Sequence, residues 1–323
     1  MNDTKLDVVA LGELLIDFAC LETDRDGYPT MAAHPGGAPA NFLAALTKFG
    51  AKTALLGKVG TDAFGKMLTH TLEKSGIDTS GIVAADDVFT TLAFVTFDEN
   101  GDRAFSFSRK PGADTCLTPE EVDKALIDEA RVFHFGTLSL TGEPARAATQ
   151  QAVAYAKEKG KFISFDPNLR KPLWESEADA KQQIEWGLRQ ADVVKISDEE
   201  IDFLWGLAPE AGAQKLLAEY GVQLVYATLG PKGCFTANAG ASAAVESPAG
   251  IRVVDTTGAG DIFGGSAMSQ LLPHLKAGRS PAELTAGELR AITRFACCAA
   301  SLSTQTHGGI NSVPDEAAVR GIL

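Results

Sequence analysis

The sequence predicts an α/β fold: a central, mostly parallel sheet with helices on both faces, and a β hairpin inserted in the chain. Three observations carry that expectation. Short apolar runs alternate with amphipathic stretches over most of the 323 residues. The amphipathic stretches repeat their apolar residues at helical spacing and end on helix-stop residues. One segment breaks the alternation with two strand-like runs and no helix between them.

Taken in order, the expected strands are Asp7–Leu11, Thr53–Leu56, Arg131–Phe135, Phe162–Phe165, Val193–Ile196 and Leu224–Thr228. The first helix, Ala38–Phe49, places Phe42, Ala45, Leu46 and Phe49 at i, i+3, i+4 and i+7, and Gly50 stops it. Thr118-Pro119-Glu120-Glu121 is a capping box with proline at the first helical position, which predicts a helix through Ala130. Pro144–Lys159, Ala178–Gln190, Glu210–Tyr220, Ile262–Leu271 and Glu288–Ser303 complete the helical series. The irregular segment pairs Thr90–Phe97 with Arg103–Arg109 across Asn100-Gly101, a dipeptide that tolerates positive φ and favours a hairpin. In its second run Phe105, Phe107 and Arg109 share one face. Such a hairpin is a candidate lid or dimer surface.

Composition narrows the functions. Twenty-nine Lys+Arg stand against 42 Asp+Glu, a net charge of −13, and no basic run occurs. Nucleic acid and anionic membrane are therefore not expected as main partners. The polar start, the Gly12-Glu13 interruption of Val8–Ile16 and the lack of a long apolar run give no signal peptide or membrane span. Five scattered cysteines without CxxC spacing suit a reducing, cytoplasmic setting. No composition shift marks a linker, so residues 1–323 are expected to form one domain.

The chemistry concentrates at Asp255-Thr256-Thr257-Gly258-Ala259-Gly260-Asp261, just ahead of a helix. Two glycines at a helix entrance expose first-turn amides, which with the helix dipole make an anion site. Asp261 inside such a cradle would repel phosphate unless it serves as general base for a hydroxyl nucleophile. Two other nucleotide signatures fail. Gly60–Met67 reads GxxxxGK, but Met67 replaces the hydroxyl ligand of Mg²⁺, and Asp62 and Phe64 would crowd the phosphates. No GxGxxG follows the first strand. Near the N-terminus, Gly36-Gly37-Ala38-Pro39-Ala40-Asn41 can present amides and a side-chain amide to hydroxyl groups, and Asp17 is a natural acceptor for two more.

Together these residues resemble the ribokinase-like family of carbohydrate kinases. Gly36-Gly37-x-x-x-Asn41 with Gly60-x-Asp62-x-x-Gly65 looks like its N-terminal pattern, and Asp255–Asp261 like its C-terminal one. The likeness runs from Leu11 to Pro314. Within the family, Gly12–Phe18, Phe105–Asp114, Asp166–Trp174 and Lys195–Glu200 read like segments of fructokinases. The resemblance implies a three-layer αβα sandwich, with the lid drawn from about 13–35 and 88–113. It implies Asp261 as catalytic base, an anion hole at Gly258, Ala259 and Gly260, and sugar contacts from Asp17, Gly36, Gly37, Asn41, Phe105, Arg109 and Arg170. It places Lys195, Thr228, Gly230 and Gly233 along the nucleotide. Glu200 would act on Mg²⁺ through water, although Ser197-x-x-Glu200 is equally a capping box. Asp255, Thr257, Gly308 and Ser312 would surround K⁺. The implied reaction is ATP-dependent phosphorylation of D-fructose to fructose 6-phosphate, with 2-keto-3-deoxygluconate kinase or ribokinase as alternatives, and a homodimer through the lid is implied as well. A sugar-binding regulator on a kinase scaffold is the non-enzymatic alternative, and its mark would be loss of Asp261 or the glycine pair.

Overall fold

A computed structural model describes the backbone of residues 4–97 and 103–323; the side chains of residues 97 and 103–105 also lie outside the described set. In chain order the elements are β1 (Leu6–Leu11), β2 (Leu15–Thr23), β3 (Pro29–Gly36), α1 (Ala38–Lys48), β4 (Thr53–Gly60), α2 (Ala63–Lys74), β5 (Ile82–Ala85), β6 (Leu92–Phe97) and β7 (Arg103–Ser108). There follow α3 (Lys124–Glu129), β8 (Ala130–Gly136), α4 (Ala145–Glu158), β9 (Phe162–Asp166), α5 (Glu177–Leu188), β10 (Val193–Ser197), α6 (Asp198–Trp205) and α7 (Pro209–Glu219). The chain ends with β11 (Leu224–Thr228), β12 (Cys234–Asn238), β13 (Ser242–Val245), α8 (Ala259–Lys276), α9 (Ala286–Ser303) and α10 (Glu316–Arg320).

Nine of these strands form one sheet in the order β13-β12-β11-β10-β9-β8-β1-β4-β5. From β5 to β11 every neighbouring pair is parallel, and only β12 and β13 run against their neighbours. Alternation along a strand divides the core. Val9 and Leu11 of β1 join the cluster under α3–α7, whereas Val8 and Ala10 join the one under α1, α2, α8 and α9. The result is a three-layer αβα sandwich. Strands buried on both faces read as near-continuous apolar runs, which is why the central ones are visible in the sequence.

The β6–β7 hairpin is half of a second sheet, ordered β3-β2-β6-β7, with β2 and β6 parallel and the outer pairs antiparallel. The β2–β3 half falls in the range of about 13–35 that the family resemblance gives to the lid, but its partly exposed residues carry no period-2 alternation that would mark strands. The Asn100-Gly101 turn lies outside the described residues. The expected helix from Thr118 to Ala130 is corrected. Its capping box forms, but only one turn follows before Val122 goes extended and buries in the core, and Asp123 caps a new helix, α3. The dismissed GxxxxGK run is instead the start of α2. Asp62 accepts from the Phe64 and Gly65 amides and from both the amide and hydroxyl of Thr90, and these bonds outweigh burial and hold its carboxyl below the usual range.

Candidate active site

The carboxyl ends of the parallel strands open onto a cavity of about 570 Å³. Its wall holds residues just past β1 (Glu13), β8 (Leu138), β9 (Asn168, Arg170) and β10 (Glu199), together with Asp17, Gly37, Asn41, Thr257, Gly258 and Asp261. Val95 and Phe107 of the small sheet complete it. β1 stands between β4 and β8, where strand order departs in both directions, so the cavity sits at a topological switch point of the sheet.

Gly258 caps α8 in the left-handed region at φ 74°, where a side chain would be strained. A Cβ on it would also come within 2.9 Å of the Gly309 backbone. One turn in, buried Asp261 accepts a hydrogen bond from Asn41 Nδ2 at 2.9 Å. Burial pushes the Asp261 carboxyl above its usual range, opposed by Lys195, by the Asn41 bond and by Arg170. Of the three expected anion-hole amides, that of Ala259 is turned back onto the Thr256 carbonyl at 3.3 Å.

Asp17, on β2, closes another side of the cavity. Burial raises it to about 7, with Asp261 and Asp255 adding and Arg170 opposing. Its Oδ2 lies against Gly36, where a Cβ would meet it at 2.2 Å, and Gly37 at φ 120° packs as tightly on the Glu13 carbonyl. The glycine pair is thus required by close approach on both sides. Arg170 reaches the wall from a loop fixed by several bonds: Leu169 N donates to Glu200 Oε1 at 2.8 Å, and Asn168 N donates to Asp166 Oδ1 at 3.1 Å. Asn168 takes φ 45°, a left-handed conformation that asparagine tolerates better than other non-glycine residues.

Beneath this loop Lys195 Nζ donates to both Asp166 oxygens, at 3.0 and 3.2 Å, and stands 3.1 Å from where a Cβ on Gly260 would be. Burial lowers its pKa, but Asp166, Glu200 and Asp261 outweigh that and keep the ammonium above the ordinary lysine range. The Asp166 carboxyl is itself pushed up by burial, with Lys195 opposing.

The remaining expectations divide. Arg109 is corrected: it lies past the end of β7, buried, with its guanidinium committed to Asp114, the Thr141 hydroxyl and the Leu138 carbonyl, and Phe107 rather than Arg109 lines the cavity. The Phe105 side chain lies outside the described residues. Glu200 forms the capping box, its second oxygen accepting from Ser197 N at 2.8 Å. Thr228, Gly230 and Gly233 stand at the same end of the sheet, beside the end of β10, but outside the cavity wall. The 255–257 and 306–312 loops do meet: Asp255 Oδ1 accepts from Thr257, its Oδ2 from Gly308 N at 3.1 Å, and His307 Nδ1 lies 3.7 Å away. Ser312 turns its hydroxyl to the Gly309 carbonyl. Among the described residues no group of three or more His, Cys, Asp or Glu is arranged to hold a metal ion, and no helix is long and apolar enough to cross a membrane. Sequence reasoning missed Glu13, Asn168 and Glu199; an acid interrupting the apolar run Val8–Ile16 was the available signal for Glu13.

The chain is 39% identical to fructokinase-2 of Solanum lycopersicum over 316 residues, covering 95% of this chain and 93% of that protein. A fructokinase from Xylella fastidiosa with bound ATP superposes with a TM-score of 0.89 at 28% identity, covering 98% and 97% of the two chains. A fructokinase double mutant from Vibrio cholerae O395, in a form with fructose, ADP and potassium ion bound, gives 0.85 at 30% identity over 100% of both. The model of the pfkB family carbohydrate kinases matches residues 5–316, and with an aspartate at the entrance of α8 facing a cavity at the sheet's carboxyl edge, the chain belongs to that family.

Proposed function

We propose that this carbohydrate kinase is a fructokinase, transferring the γ-phosphoryl group of ATP to the 6-hydroxyl of D-fructose, with Asp261 as general base. The observation that carries the reading is the Asp261 carboxyl, held by Asn41 at the amino end of α8 and open to a cavity that Asp17 and Arg170 share. The identity to plant fructokinases supports the choice of sugar.

In this reading Asp17, Gly37 and Asn41 hold sugar hydroxyls, and Val95 and Phe107 of the lid cover the ring. The acceptor hydroxyl gives its proton to Asp261 as its oxygen bonds to phosphorus. The bond from phosphorus to the leaving oxygen breaks, and ADP departs with that electron pair. The amides at Gly258 and Gly260 and the Arg170 guanidinium face the charge that gathers on the phosphoryl oxygens. Lys195, Thr228, Gly230 and Gly233 lie along the nucleotide. Bare backbone at Gly258 and Gly260 suits a phosphate, and neither position has room for a side chain: a Cβ at Gly258 would meet Gly309 and Asn41, and one at Gly260 would meet Lys195.

Mg²⁺ would arrive with the nucleotide phosphates and neutralise their charge, with Glu199 and Glu200 as the near carboxylates; one or two carboxylates plus phosphates and waters is its usual set. The Asp255 carboxylate is a hard oxygen donor of the kind K⁺ takes, and a cation there, with Thr257, Gly308 and Ser312 around it, would stabilise the 255–258 turn. A homodimer through the lid belongs to the same reading.

An ADP-release assay over D-fructose, D-ribose and 2-keto-3-deoxygluconate tests it. Fructose is expected to give the highest kcat/KM, and Asp261→Asn to lower turnover by roughly 10²–10⁴ while nucleotide binding persists. Faster turnover of either other sugar would overturn the substrate. An Asp261→Asn enzyme keeping more than about a tenth of wild-type turnover would overturn the base.

A further inference from the structure

Glu13 is a buried acid that the proposed chemistry does not use. It is 2% exposed and belongs to the cavity wall. Its Oε1 accepts from Ala38 N at 2.8 Å, across 25 positions of sequence. Ala38 opens α1, and the N-cap residue, Gly37, supplies no side-chain cap. A serine or aspartate at position 37 is the ordinary solution for that helix end. Here it is barred twice over: Gly37 stands at φ 120°, and a Cβ would lie 2.3 Å from the Glu13 carbonyl oxygen.

The same loop meets α1 a second time, because a Cβ on Gly12 would lie 2.6 Å from Pro39 Cγ. The start of α1 is therefore set by residues 12–13. One turn further on, Asn41 N donates to the Gly37 carbonyl at 2.9 Å, and Asn41 Nδ2 donates to Asp261 Oδ2. Contacts thus run without a break from Glu13 to Ala38, through one helical turn to Asn41, and on to Asp261.

We propose that Glu13 is a positioning residue: its carboxyl supplies the missing cap of α1 and so holds Asn41 where it aims Asp261 at the acceptor hydroxyl. Keeping a carboxyl there is expensive. Burial raises it to about 7, Asp114 adds to the rise, and only its backbone bonds and Arg109 oppose it. A helix whose register had no consequence for the site would not require an ionisable group in a cavity wall.

The inference rests on Asp261 as base, which Asp261→Asn tests separately. Its own test is a double-mutant cycle on the full-length enzyme, with fructose and ATP as substrates. Glu13→Ala is expected to lower kcat about tenfold, the scale of a misaligned reacting group, with the KM for ATP unchanged. Added to Asn41→Ala, the same change should cost less than about twofold, because both act through one contact. Glu13→Gln keeps the acceptor oxygen and is expected to recover most of the loss. Losses that multiply in the double variant, or a Gln variant as impaired as Ala, would overturn the proposal. Unchanged kcat in Glu13→Ala would do the same. If thermal unfolding shows that Glu13→Ala does not fold, Glu13→Asp, which withdraws the carboxyl by one methylene, takes its place in the cycle.

Discussion

Asp261 is buried and Asp17 half-buried in one cavity, and their surroundings differ. Asp261 sits at the positive end of a helix beside an amide donor, while Asp17 lies against bare glycine backbone with Arg170 as its counter-charge. Asp17→Ala is expected to raise the KM for fructose more than it lowers kcat. Each lost bond to a charged acceptor is worth roughly 1.5–3 kcal/mol. Unaltered fructose kinetics in that variant would remove Asp17 from the sugar site. Its ionisation gives a second reading. A carboxyl raised to about 7 is mostly neutral at lower pH, so kcat/KM for the sugar is expected to fall as pH drops below about 7, and the fall should be reduced in Asp17→Asn. A carboxyl must be deprotonated to accept hydroxyl donors at full strength, and the upward shift of Asp17 brings that loss close to neutral pH.

At the scale of elements, three helix starts converge on the cavity, and each is capped differently. At α1 a distant glutamate supplies the cap, at α6 Ser197 and Glu200 cap each other, and α8 begins on left-handed Gly258. Glu200 also ties α6 to the loop that presents Arg170, so the capping and positioning functions coincide in one carboxyl. The α8 start also has little room. Gly258→Ala combines a strained φ with a Cβ 2.9 Å from Gly309 Cα, and part of the 309 loop must move. We expect kcat to fall by at least about tenfold and the thermal midpoint to drop, because preorganised donors at the phosphoryl group are displaced. Wild-type kinetics in this variant would mean that the turn tolerates the shift and does not set the anion site.

Across the whole molecule, the site depends on segments far apart in the chain: 12–17, 36–41, 166–170, 195–200, 255–261 and 306–312. Carboxylates outnumber cations there, with Lys195 and Arg170 set against Asp17, Asp166, Glu200 and Asp261. Asp255 adds another at the junction of the last two segments, where it is bonded to Thr257 and Gly308. A monovalent cation at that junction would offset its charge and fix the turn that carries the proposed anion site. Activity is therefore expected to rise with K⁺ at constant ionic strength, mainly in kcat, within the roughly 3–4 kcal/mol that such donors supply. Equal rates in K⁺ and tetramethylammonium, with contaminating K⁺ excluded, would rule this out.

The sequence alone determined the sandwich, since strands buried on both faces must be apolar throughout and surface helices must be amphipathic; both patterns are local. It also located the α8 entrance, because Gly258, Ala259, Gly260 and Asp261 are contiguous and a helix start needs no distant partner, although α8 begins at Ala259, inside that motif, rather than at Ile262. Tertiary structure decided the rest. It made Arg109 a buried partner of Asp114, broke the helix after Thr118 to bury Val122, and added β2 and β3 to the hairpin. It alone brought Glu13 to Ala38 and Asn41 to Asp261, 220 positions away. Residue patterns report what a segment buries; which charged group meets which depends on strand order and loop approach, and these exist only once the layers have packed.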